Sequence, residues 1–141
     1  MRRRVLLERA AGRDARGAAA VEFALIVPFL MILVFGIINF GDMLSVRQSV
    51  SQAASEGARA AAVHPGSNAE KTTAAEDAVA DALDAHGETC ASDCSVVIGA
   101  CQSGGSECVT VEVVIDYDTL IPGFGLVLPE TLSYTAVARV S

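Results

Sequence analysis

Basic residues are scarce beyond the first seventeen positions. Only Arg47, Arg59, Lys71 and Arg139 stand there, against 15 acids. So acidic a surface is a poor partner for nucleic acid, whose phosphates are held by clustered Lys and Arg. Histidine is equally scarce: His64 precedes a proline, and His86 falls where a helix should end and where it suits the helix dipole. Neither stands in a metal-ligand or nucleophile–base spacing. The twelve glycines are scattered, so no phosphate loop or nucleophile elbow can be read. These absences argue against an enzyme, and no cofactor or metal is expected. The 141 residues allow one anchor and one modest folded domain.

What the chain does have is a charge-free apolar run. Phe23 to Gly41 gives 19 residues without a charge, and as a helix that run is roughly 28 Å long, close to the hydrocarbon thickness of a bilayer. Before it lies a basic leader through Gly17, in which Arg2, Arg3, Arg4, Arg9, Arg13 and Arg16 face only Glu8 and Asp14. The positive-inside rule places this leader in the cytoplasm and everything after Asp42 outside. A secretory signal would need a shorter apolar region and a small-x-small cleavage site in polar context, and neither is present. Glu22 sits at the mouth of the run. An acid at the edge of a span is costly and usually has a partner; the bland alternative is a snorkelling interfacial acid without one.

The helix continues outward. Met43, Val46, Val50, Ala53, Ala54, Gly57, Ala58 and Ala61 recur near three and four, with polar residues between them. Glu56 and Arg59 have the spacing of a weak i,i+3 ion pair. This stripe of small residues suits close approach of another backbone or rest on the chain's own domain, and Gly57 inside a helix calls for one or the other. His64-Pro65-Gly66 ends the helix. A second helix is expected over Ser67–His86, started by the capping-box spacing Ser67…Glu70 and stopped by Gly87. Its inner face would carry Ala75, Ala78, Val79, Ala82, Leu83 and His86. Glu70, Glu76, Asp77, Asp81 and Asp84 would form a solvated acidic face, without calcium-loop spacing.

The last third alternates with a period of two. Val109, Val111, Val113, Ile115 and Tyr117 share one face of a strand; Leu132, Tyr134, Ala136, Ala138 and Val140 share one face of another; and Ser95–Ile98 forms a shorter run. Three strands with one apolar face need covering helices, so the fold class is α+β: a long N-terminal transmembrane helix entering a small domain with a second helix and a three-stranded antiparallel sheet. The organisation read is a leader over 1–17, the transmembrane and extended helix over 18–63, and an extracytoplasmic domain over 64–141. The apolar loop Ile121–Pro129 reads either as a flap tucked under the sheet or as an exposed contact for a partner.

Cys90, Cys94, Cys101 and Cys108 make an even number outside the cytoplasm, which favours disulfides. Cys101 and Cys108 flank a turn-rich loop at the ends of two strands and can face each other, which leaves Cys90 to Cys94. Zinc ligation competes, but the spacings lack the paired short knuckles of common zinc modules.

The stretch Gly17-Ala18-Ala19-Ala20-Val21-Glu22-Phe23-Ala24-Leu25, with Pro28 in the apolar helix and Gln52–Ala61 beyond, resembles the TadE-like proteins, minor pilins or pseudopilins of bacterial tight-adherence (Flp-type) pilus systems. The resemblance is specific over Arg16–Val63 and weak beyond. It implies cleavage between Gly17 and Ala18 by a prepilin peptidase, so that Glu22 becomes the fifth residue of the mature chain. It implies that Glu22 sets register in assembly, that Pro28 loosens the span, and that the segment holding Gly57, Ala58 and Arg59 serves helix packing. Implied partners are the bilayer, the peptidase, other pilin subunits and the assembly platform. A TadF-like role is equally open, as is residence in a cell-surface filament or at its base. The alternative of another class is an uncleaved, single-pass anchored binding module.

Overall fold

The structure, a computed structural model, describes residues 2–91, 94–101 and 104–140, and for residues 2–16 the backbone alone. The leader's arginine side chains, and Gln102 and Ser103 in the loop between Cys101 and Cys108, lie outside the described residues. The elements in order are helix α1 (Arg2–Val63), helix α2 (Asn68–Asp84), strand β1 (Ser95–Ala100), strand β2 (Glu107–Asp116), a short 3-10 turn (Phe124–Leu126) and strand β3 (Thr131–Arg139). The chain divides into two compact units, Met1–Ile38 and Asn39–Ser141.

The first unit is helical from Arg2 onward. The helix runs unbroken through Pro28, and Phe23, Leu25, Ile26, Phe29, Leu30, Ile32 and Leu33 are all exposed. Its apolar stretch is long and apolar enough to cross a membrane, and none of it is buried within the protein. Leucine and phenylalanine exposed on this scale are unfavourable in water and call for an apolar solvent. The anchor is accordingly single-pass among the described residues.

The second unit begins with the outer half of α1, so the compact α+β body takes in Asn39–Val63 as well as the chain after Pro65. Its sheet has the order β1-β2-β3 and is antiparallel throughout. The register pairs Val111 with Val96 on one side and with Ala136 on the other. Val109, Val111, Val113 and Ile115 of the central strand are buried, together with Val50, Ala53, Ala54, Ala58 and Ala61 of α1 and Ala75, Val79 and Leu83 of α2. The period of two along β2 therefore meets the period of 3.6 along both helices in one core.

Local chemistry sets the element ends. Ser67 caps α2 with a full capping box: its Oγ accepts from the Glu70 amide, and the Glu70 carboxylate accepts from the Ser67 amide at 2.7 Å. These bonds from Ser67 and the nearby His64 hold the Glu70 carboxyl below its ordinary range. At the other end α2 stops at Asp84, two residues before the expected His86, and His86 is exposed rather than on the inner face. The physical reason is a C-terminal αL closure: Gly87 takes φ 74°, and the Glu88 amide turns back to the Leu83 carbonyl. Tyr134 also departs from expectation. It faces Val113 across the register yet is 41% exposed, whereas Leu132 on the same strand is buried. Lys71, the sole lysine, buries its stem at the start of α2 and leaves no buried unpaired nitrogen, as snorkelling requires.

Candidate functional site

The N-terminal segment is an open helical surface. Gly17, Ala18 and Glu22 are exposed, and nothing lies within 4 Å of where a Gly17 side chain would begin. Among the described residues no group pairs with the Glu22 carboxylate. Pro28, further along the same helix, is exposed as well. The segment thus carries a glycine–alanine peptide bond and an acid, unpaired among the described residues, on one accessible helix.

The Gly57 segment is the opposite: it is spent inside the domain. A Cβ on Gly57 would stand 2.5 Å from Val79 Cγ2, 3.1 Å from the Ala75 carbonyl oxygen and 3.4 Å from Val111 Cγ1. Glycine lets α1 approach α2 and the central strand together. Of the two uses open to the small-residue stripe, packing on the chain's own domain is the one observed. Ala58 is buried beside it. Arg59 points away; its guanidinium lies 3.7 Å from Glu56 with both side chains mostly in solvent. An ion pair so exposed contributes about 0–1 kcal/mol.

The four cysteines form two disulfides, Cys90–Cys94 and Cys101–Cys108, and no free thiol remains. Cys101–Cys108 closes the β1–β2 hairpin. Cys90–Cys94 rigidifies the approach to β1, where the Ala91 amide donates to the Val114 carbonyl at 2.9 Å and the Val114 amide to Cys94 Sγ at 3.3 Å. Among the described residues no three His, Cys, Asp or Glu side chains converge as a metal-holding group.

A cleft of about 520 Å³ opens beside α2, floored by Val79, Leu83, Val96 and Val111 and rimmed by Glu76, Asp84 and Glu112. Its lining also includes Thr89, Ser95 and the Cys90–Cys94 disulfide and, among the described residues, no histidine.

A polar node at the foot of the domain was not legible as a site. The Tyr117 hydroxyl donates to Asp42 Oδ2 at 3.0 Å and lies 3.3 Å from the Asn39 carbonyl, while the Ile121 amide donates to Asn39 Oδ1 at 3.2 Å. Asn39 is wholly buried. Burial, followed by the hydrogen bond to Asp42 and its charge, pushes the Tyr117 phenol up to about 12. The node ties the start of the 119–129 loop to α1. The sequence did carry one signal for it: Asn39 is the sole polar side chain between Phe23 and Gly41. The loop itself is not a tucked flap. Leu128 packs against the core, whereas Leu126 is 97% and Val127 82% exposed.

No curated protein and no solved structure matches the chain. One family does: residues 17–59, from Gly17 at the end of the leader to Arg59 beyond the packing glycine, match the model of the TadE-like protein family.

Proposed function

We propose that the chain is a pilin-like subunit, a minor pilin or pseudopilin, of a Tad (Flp-type) pilus system and acts in its assembly rather than in catalysis. The observation that carries this reading is the TadE-like match beginning at Gly17 and taking in Glu22, on a helix apolar enough to span a bilayer. An ordinary anchor has no need of that junction.

The mechanism follows from the residues. The arginine leader stays in the cytoplasm and the acidic domain lies outside. A prepilin peptidase hydrolyses the Gly17–Ala18 peptide bond: water supplies hydroxyl to the Gly17 carbonyl and hydrogen to the Ala18 nitrogen. The absence of a side chain on Gly17 leaves the bond open to an intramembrane protease. The new Ala18 amine is cationic near neutral pH. Paired with Glu22 of a neighbouring subunit, it offsets the cost of a carboxylate at the membrane edge and fixes axial register. Pro28 lacks an amide hydrogen and gives the span one weakened turn. The outer half of α1, packed through Gly57, belongs to the disulfide-braced domain itself.

Intact-mass analysis of the protein from cells with an active prepilin peptidase tests the first step; the mature chain should begin at Ala18. Recovery of the full leader would leave the uncleaved anchored binding module as the function. Glu22→Ala and Glu22→Gln should insert, be cleaved and keep both disulfides, yet fail to support piliation or to co-purify with pilin partners. Normal piliation in both would make Glu22 a bystander.

A further inference from the structure

We infer that the loop 119–129 is a membrane-seated wedge, inserting its apolar tip into the outer face of the same bilayer that α1 crosses. The inference rests on the reading of α1 as an anchor.

Thr119 to Pro129 is eleven residues without a charge, bounded by Asp118 and Glu130. Its tip is left bare, with Leu126 97% and Val127 82% exposed, and Leu120 at its base is also exposed. Leu128 alone of its leucines packs on the core and acts as the root. A tip of this composition in water is a standing cost unless something apolar covers it.

What covers it is decided by where the loop is tied. Ile121 donates its amide to the buried Asn39 side chain, and Tyr117, at the loop's base, donates to Asp42. Asn39 is two residues inside the outer end of the charge-free run, which closes at Gly41. At 1.5 Å per residue the tie lies about 3 Å within that end. If the run fills the hydrocarbon layer, the loop starts at the boundary between acyl chains and headgroups. Asp42, Asp118 and Glu130 ring the loop as acids and no basic residue lies between Asp116 and Glu130. Insertion is therefore apolar, not an attraction to anionic lipid. Helix and wedge would then be two separate attachments of the chain to the bilayer.

The chain has no tryptophan, so single-tryptophan variants of the full chain can report depth in phosphatidylcholine vesicles. Leu126→Trp probes the wedge and Phe29→Trp the span. Val97→Trp is the control: it is exposed on β1 and pairs with Thr110, seven residues up β2 from Tyr117, or about 23 Å at the rise of a strand. Leu126→Trp should show blue-shifted emission, quenching by lipids brominated near the headgroup and loss of acrylamide quenching; Val97→Trp should show the reverse. Adding Leu126→Asp to a Val127→Trp variant should restore acrylamide quenching. The wedge is overturned if Leu126→Trp behaves as Val97→Trp while Phe29→Trp is lipid-quenched, and the anchor then stands. Failure of lipid quenching at Phe29→Trp would remove the anchor itself. Shielding of Leu126→Trp from both quenchers, reversed by diluting the protein in lipid, would overturn the wedge in favour of contact with a second copy.

Discussion

Replacing Gly57 by alanine should destabilise the outer domain, against the usual rule for helices. In an open helix this change gains about 1 kcal/mol, because alanine loses less backbone entropy. Here the new methyl would start 2.5 Å from Val79 Cγ2 and 3.1 Å from the Ala75 carbonyl oxygen. Val79 is buried and has a stiff χ1, so it yields only by repacking; the Ala75 oxygen yields only if α2 moves. Overpacking of this kind costs about 1–3 kcal/mol, so the net loss is about 0–2 kcal/mol after the helical gain is subtracted. Gly57→Val adds further branches to the same space and should cost about 3 kcal/mol. Gly41→Ala is the internal control, since nothing lies within 4 Å of that position; it should be neutral or gain up to about 1 kcal/mol. The assay is equilibrium denaturation of the full chain in mild detergent, followed by circular dichroism, with disulfides intact. A cycle of Gly57→Ala with Val79→Ala should show favourable coupling of about 0.5–3 kcal/mol, because the smaller side chain admits the methyl. A Gly57→Ala protein stabilised as much as Gly41→Ala, with no coupling to Val79, would refute the packing argument.

Other outcomes follow from the disulfides and the node at Asn39. Non-reducing peptide maps should contain Cys90–Cys94 and Cys101–Cys108 alone, and a Cys90–Cys108 link or four free thiols would contradict the fold. Replacing Cys101 and Cys108 together by serine should lower stability by about 2–3 kcal/mol, the loop-closure value for so short a ring. Tyr117 is protonated and buried in the fold with a phenol raised to about 12 from an ordinary 10. Its contribution is complete below pH 10 and is lost as pH rises towards 12, the direction linkage gives for a raised folded-state value. Tyr117→Phe should abolish the phenolate absorbance that appears only near pH 12 and remove the matching alkaline loss of stability; an unchanged titration would show that Tyr117 is not the buried phenol.

The elements and their order were legible from local signals along the chain. A charge-free run of 19 residues, a Ser67…Glu70 box and a strict alternation over 109–117 are local signals, and each produced the element that local sterics and hydrogen bonding dictate. The resemblance to the TadE-like family, whose model matches residues 17–59, was legible for the same reason, being a contiguous string around Gly17 and Glu22. Chain-end details slipped where a turn outweighed the pattern, as at Gly87, which closed α2 before His86. Three matters belonged to tertiary structure alone. The stripe of small residues could serve any close neighbour, and only the approach of Val79 and Val111 to Gly57 shows which one it meets. The loop 119–129 is apolar whether buried or bare, and periodicity cannot distinguish the two; its root at Leu128 and bare tip at Leu126 depend on where β2 delivers it. Asn39 reads as an isolated blemish in an apolar run, because its partners Tyr117 and Ile121 lie 78 and 82 residues away along the chain. Hydrogen bonds over that separation leave no periodic trace, since what joins the residues is the packing of the sheet against α1, and packing acts through distance in space.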